Sequence, residues 1–143
     1  MKIGVPKETV EGERRVALVP DVVRSLRKNE NVEVLIESGA GEAAGHPDAQ
    51  YTDAGAEIAA ADVIWKADVV LRVAAPSPAE IARLGSSQVY VSHLNPWVAA
   101  ETNKALAASG VTAFAMEAIP RTTRAQAMDA LSSQAAEIGR AHV

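Results

Sequence analysis

The apolar residues of this chain come in short unbroken runs that do not alternate with polar ones, and that pattern narrows the folds open to it. KIGV (2–5), VEVLIE (32–37), DVVLRV (68–73), QVYVS (88–92) and VTAFA (111–115) are rich in Val, Ile and Leu and read as strands. A strand with one wet face alternates; a strand covered on both faces reads as a continuous apolar run, the habit of parallel sheets. Longer segments with helical character separate the runs: PDVVRSLRKN (20–29), AAADVIWK (59–66), SPAEIARLG (77–85) and VAAETNKALAASG (98–110). Gly85 and Gly110 stand where helix C-caps are expected, and Pro78 suits a first turn. Repeated strand–helix order predicts an α/β fold, a doubly wound and mostly parallel sheet of the flavodoxin-like or Rossmann-like kind.

At 143 residues the chain suits one domain with a sizeable core. Its aromatics are few (Tyr51, Trp65, Tyr90, Trp97 and Phe114), so that core must be built from Val, Ile, Leu and Ala. With no cysteine, disulfide scaffolds, thiolate metal sites and cysteine nucleophiles are excluded. A formal charge of −4 without a long Lys/Arg cluster argues against nucleic acid as a partner. No apolar run approaches the roughly 18–20 residues of a membrane span, and MKIGVPKE lacks the core of a signal peptide. The fragment reads as soluble.

Ligands of doubly wound sheets sit outside the carboxyl ends of the strands, so functional residues should follow strands. Three stretches meet that condition with a plainer alternative beside each. ESGAGEAAG (37–45) is glycine-rich, but Gly39-x-Gly41-x-x-x-Gly45 is one residue longer than a dinucleotide fingerprint and HPDAQYTDAG after it is turn-like, which favours a simple turn. GVPKETVEGERRVALVP (4–20) places Lys7, Arg14 and Arg15 beyond the first strand. They are suited to fork a carboxylate or phosphate, or else to pair with Glu8, Glu11 and Glu13 in a solvated loop. VYVSHLNPW (89–97) sets His93 at a strand end, open to proton transfer or to a structural role.

The richest segment is IPRTTRAQAMDALSSQA (119–135). Thr123 and Gln126 have the spacing of a capping box, which predicts a helix from about Arg124. At about 100° per residue Ala127, Met128, Leu131 and Ala135 share one face, and Gln126, Asp129, Ser132 and Ser133 the other. Arg121 precedes the helix. An amphipathic surface helix explains the periodicity, but not the short hydrogen-bonding groups on its polar face.

Taken together, MKIGVPKE, GERRVALVP, ESGAG, DAGAEI, ADVVLRV and IPRTTRAQAMDALSSQ resemble the α-subunit family of proton-translocating NAD(P) transhydrogenases, from Met1 to about Gln134. The earlier motifs are shared with alanine dehydrogenases; PRxxRAQxMDxLSSQ is the specific one. The resemblance implies an oxidoreductase and translocase. Its α subunit holds NAD(H), a partner domain holds NADP(H), and hydride passes between the nicotinamides, coupled to proton movement through a membrane domain. It further implies cofactor-binding roles for Arg121, Gln126, Asp129 and Ser132 against the nicotinamide and its ribose, with no metal and no catalytic acid or base. The expected partners are a second α subunit in a homodimer and an NADP-binding membrane β subunit. Through them the protein would sit peripherally on the cytoplasmic side of the inner membrane.

Residues 1–136 are then the first subdomain of a two-subdomain NAD-binding unit. The family continues past the serines into a second domain carrying the G-x-G-x-x-G fingerprint, whereas this chain reads AAEIGRAHV. The expectation is a truncated chain with 137–143 as a non-native or truncated tail, inactive alone. Arg72 stands where relatives commonly carry lysine. Two other readings stay open. In an alanine dehydrogenase fragment, His93 would match the family's catalytic histidine and Arg15 its carboxylate anchor. In a non-catalytic dimerisation module, the helices would serve only as interfaces.

Overall fold

In the computed structural model, residues 1–130 are described. Strands β1 (Lys2–Val5), β2 (Glu33–Glu37), β3 (Glu57–Ala59), β4 (Val69–Leu71), β5 (Val89–Ser92) and β6 (Thr112–Ala115) form one sheet in the order β3-β2-β1-β4-β5-β6. Every pairing is parallel. Between the strands lie α1 (Pro20–Leu26), α2 (Asp48–Asp53), α3 (Ala61–Ile64), α4 (Pro78–Ile81) and α5 (Ala100–Ser109). The chain winds outward from β1 to β3, crosses back, and winds outward again from β4 to β6. This is the doubly wound architecture that the continuous apolar runs predict, with its switch point between β1 and β4.

The register assigns the faces. Ile3 lies opposite Val34 and Val69, and Val5 opposite Ile36, so these side chains share one face. They pack with Val23 of α1 and Tyr51 of α2 in one buried cluster. Gly4 and Val70 point the other way, as does Tyr90 on β5, and here Trp65, Ile81 and Leu106 close a second cluster beneath α3, α4 and α5. Gly4 is required by close approach: a Cβ there would lie 2.6 Å from the Ile64 carbonyl oxygen.

Helix ends follow local chemistry. α1 starts at Pro20 with Asp21 in its first turn. α4 starts at a capping box, in which the Glu80 N–H donates to Ser77 Oγ and the Ser77 N–H donates to Glu80 Oε2. α5 stops at Gly110, φ +76°, as expected of a left-handed C-cap.

Several boundaries differ from expectation. α4 ends at Ile81, so Gly85 caps nothing; its N–H donates instead to Gln88 Oε1. α1 ends at Leu26, three residues before the expected stop. The stretch read as turn-like after the glycines contains α2, which opens behind Pro47 and buries Tyr51. β3 was not anticipated, because Glu57–Ala59 is too short to show a period; its register against Leu35, Ile36 and Glu37 makes it a strand.

Candidate functional site

A cleft of about 940 Å³ opens at the carboxyl ends of β4 and β5. Leu71 and Val91 form its floor on the sheet face that α1 and α2 cover only in part; Arg15 and Val16 wall one side, and His93 and Ala130 another. The floor is apolar because these positions belong to runs built for burial, so polar chemistry must come from the loops.

The switch point carries a buried charge cluster that the sequence reading did not single out. The Arg72 side chain is fully buried at the end of β4; its Nη2 donates to Glu8 Oε2 at 2.9 Å. Its Nη1 lies 2.6 Å from Glu80 Oε1, an ion-pair distance without hydrogen-bond alignment. Glu8 also accepts from the Val73 N–H at 2.7 Å and the Ala74 N–H at 3.3 Å. Burial disfavours the Arg72 charge, but Glu8 first and then Tyr90 and Glu80 outweigh it, and its pKa is raised. Burial likewise opposes ionised Glu80, and the Ser77 N–H and Arg72 reverse the balance, so its pKa is lowered. The Trp65 ring lies 6.0 Å from the Arg72 guanidinium carbon. Burial pushes the Tyr90 hydroxyl up to about 12, so it is neutral at physiological pH. Two signals for this cluster were legible: an arginine inside an apolar run must find a buried partner, and Ser77-x-x-Glu80 has the capping-box spacing.

Arg15 reaches the cleft, but its fork is occupied. Nε and Nη2 donate to the two Glu13 oxygens at 2.9 and 2.8 Å, the pairing within the loop that stood as the plainer alternative. That fork, helped by the Arg15 N–H, holds the Glu13 carboxyl at about 2. Lys7 donates its backbone N–H to Glu37 Oε2, and Arg14 is exposed. His93 lines the cleft directly after β5, with Nδ1 3.5 Å from Glu117 Oε2. The other Glu117 oxygen accepts the N–H of Asn95, which holds a left-handed φ of +51°.

The segment after β6 differs from its predicted helix. Residues 123–128 form turns, with the Ala125 N–H donating to the Thr122 carbonyl and the Met128 N–H to that of Ala125; of the described residues after them, Ala130 is helical. Ala127 and Met128, expected on a buried stripe, are exposed, and Ala125 is buried in their place. Adjacent turn residues do not keep the 100° spacing on which the stripe relied. The Arg121 side chain is exposed, its Nε 3.7 Å from Oδ2 of buried Asp129. Gln126 is exposed on the turn, and Ala130 reaches the cleft. Ser132, Ser133, Leu131, Ala135 and the tail 137–143 lie outside the described residues. The glycine-rich stretch forms a short 3-10 turn at Glu42–Ala44, where a Cβ on Gly41 would lie 2.5 Å from Tyr51 Cε2, so the glycine serves packing. Among the described residues no group of three His, Asp or Glu is placed to hold a metal ion, and no helix is long and apolar enough to cross a membrane.

The geometry has close counterparts. The chain is 40% identical over 135 residues to the NAD(P) transhydrogenase subunit alpha of Haemophilus influenzae, spanning 94% of this chain and 26% of that protein. It is 35% identical over 150 residues to the alanine dehydrogenase of Mycobacterium tuberculosis, spanning 100% of this chain and 40% of that protein. The crystal structure of transhydrogenase from Sinorhizobium meliloti superposes with a TM-score of 0.88 at 40% identity, covering 94% of this chain and 40% of that one. This chain thus spans well under half the length of these relatives. The family described as alanine dehydrogenase/PNT, N-terminal domain, matches residues 4–138, and the chain belongs to it.

Proposed function

We propose that this chain forms the N-terminal part of the NAD(H)-binding subunit of a proton-translocating NAD(P) transhydrogenase, with the 121–130 turn as the lip that seats the nicotinamide. The observation that carries the reading is the pairing of exposed Arg121 with buried Asp129 next to Ala130, at the mouth of an apolar-floored cleft. Similarity to transhydrogenase α subunits over 94% of the chain supports it.

The residues fit one end of the coenzyme. The cleft has room for a pyridine ring with its ribose. Gln126 offers an amide to a carboxamide, Arg121 a guanidinium and Asp129 a carboxylate to ribose hydroxyls; Ser132 is assigned to the same set from the sequence. Bound nicotinamide supplies the hydride chemistry; the chain's part is to hold a ring at fixed distance and angle and to keep water out. Hydride transfer requires no nucleophile, and of the two histidines that line the cleft, His46 and His93, the second is half-buried against Glu117. The pyrophosphate finds no cradle among the described residues: the glycine stretch is filled by Tyr51, and Glu8 occupies the switch point. A further domain is therefore assigned to grip it, with NADP(H) held by a partner. A homodimer of α subunits, on the cytoplasmic side of the membrane and anchored through a β subunit, completes the proposal. The chain alone is expected to be inactive.

The test is NADH binding and hydride exchange in the complete subunit with its NADP-binding partner. Arg121→Ala and Asp129→Asn should each weaken NADH by about tenfold, the effect of losing one charge-assisted contact of roughly 1.4 kcal/mol. Unaltered affinity and exchange rate in both variants would sink the lip. Arg15 and His93 on the same cleft favour alanine dehydrogenase as the second reading. NADH oxidation dependent on pyruvate and ammonium, without any partner domain, would establish it instead.

A further inference from the structure

In a doubly wound sheet, the backbone amides beyond the strand ends at the switch point are where an anionic ligand is expected. Here a protein carboxylate takes that place. Glu8, two residues beyond the buried Pro6, turns in from the loop after β1, and its side chain is only 5% exposed. One oxygen accepts the Val73 N–H; the other accepts the Ala74 N–H and Arg72 Nη2. These are three donors around one planar, two-oxygen acceptor, a geometry that selects a carboxylate over an amide or hydroxyl. The flanking residues are tied as well: the Lys7 N–H donates to Glu37 and the Thr9 hydroxyl to Glu80 at 3.4 Å. The same loop then runs through Arg15, Val16 and Ala17, which wall the cleft.

We propose that Glu8 is an internal anion ligand: its carboxylate fills a small-anion site made by the Val73 and Ala74 amides and the Arg72 guanidinium, and so fixes the loop that walls the cleft. Glu8 is thus a positioning residue, acting on the cleft through its own loop. Shortened to glycine, it leaves a site for a free monocarboxylate such as formate or acetate. The inference holds whichever coenzyme or substrate the cleft takes, so it stands or falls apart from the proposed function.

The experiment titrates acetate and formate into the 15N-labelled full chain carrying Glu8→Gly, with sodium chloride holding ionic strength constant. Saturable shifts of the Val73 and Ala74 amides are expected, with half-saturation at about 10 mM for so small a ligand. The Arg15, Val16 and Ala17 amides should return toward their wild-type positions together with them, and wild-type chain should not respond. Absence of a saturable response in folded Glu8→Gly, or an equal response in wild type, overturns the proposal. If Glu8→Gly folds only in acetate, seen by circular dichroism, that dependence supports it. Should acetate fail to restore folding, isosteric Glu8→Gln decides. Val73 and Ala74 amides exchanging about tenfold faster, with β2 amides unchanged, supports the internal ligand, whereas exchange within about twofold of wild type overturns it.

Discussion

Replacing Arg72 by methionine removes the cation between the buried Glu8 carboxylate and the partly buried Glu80 carboxylate. Breaking a buried ion pair by deleting one partner commonly costs about 3–5 kcal/mol, because the remaining charge is stranded. The structure places this site at the lower end. Glu8 keeps the Val73 and Ala74 amides, and Glu80 keeps the Ser77 N–H and hydroxyl, so neither carboxylate loses all its donors. We expect a loss of about 3 kcal/mol at neutral pH, read as a lower urea midpoint at constant slope and a melting temperature down by about 10 °C. Acid should narrow the gap. In the wild type the folded pKa of Glu80 lies below its usual value, so its stabilisation is present above that value and fades as pH falls. In the variant the lowering by Arg72 is gone, so Glu80 contributes less stability above its usual range and has less to lose as pH falls, and the gap to wild type narrows. Arg72→Lys should cost less, about 1–2 kcal/mol, since an ammonium supplies the charge without the fork. A loss below about 1 kcal/mol in Arg72→Met, or a gap that does not shrink from about pH 7 to pH 4, would refute the reasoning that these charges are buried and mutually dependent.

Three further outcomes are expected. Glu13→Gln should cost about 1 kcal/mol above the ordinary carboxylate range, a figure kept small because Arg15 is 69% exposed; with Glu13 at about 2, urea midpoints of variant and wild type should converge as pH falls from about 4.5 toward that value. Gly41→Ala should destabilise by about 2–3 kcal/mol in thermal melts, because the new methyl meets Tyr51, whose hydroxyl is anchored on the Leu18 carbonyl at 2.8 Å. Gln88→Leu should cost about 3 kcal/mol by chemical denaturation, since Gln88 donates to the Trp65 and Ala67 carbonyls and accepts the Gly85 N–H, leaving three groups unmet.

The sheet was legible because burial on both faces leaves a trace that single residues cannot hide. Strands β1, β2, β4, β5 and β6 each fall within an expected run, and their parallel pairing follows from the helical segments between them. β3 was not legible, since three residues such as Glu57, Ile58 and Ala59 hold no period, and only the facing β2 ladder makes them a strand. α2 was missed for a related reason: DAQYTD has the composition of a turn, and what makes it helical is Tyr51 burying its ring and reaching the Leu18 carbonyl, 33 residues away. Such contacts are tertiary, and local propensity does not register them.

The site divides along the same line. His93 was placed correctly at a strand end because position along a strand is a local property, and Ala130 is the described residue of the later segment that lines the cleft. The helix expected from Arg124 failed because a capping-box spacing states only what two side chains are able to do; Thr123 and Gln126 sit in a turn that leaves both exposed. Arg15 shows the reverse error of emphasis. Its fork looks made for a ligand, yet the nearest acceptor in sequence, Glu13, already holds it with two bonds. Glu8 completes the contrast, for it was weighed only as a partner for surface cations, while the structure turns it inward onto amides more than sixty residues away. A ligand entering this cleft thus meets a loop in which Glu8, Glu13 and Arg15 are already paired within the protein. On the proposed reading, specificity would fall to groups facing outward, Gln126 and Arg121 foremost, and substitutions there should move affinity with little change in stability, whereas substitutions at Glu8 or Arg72 should move both.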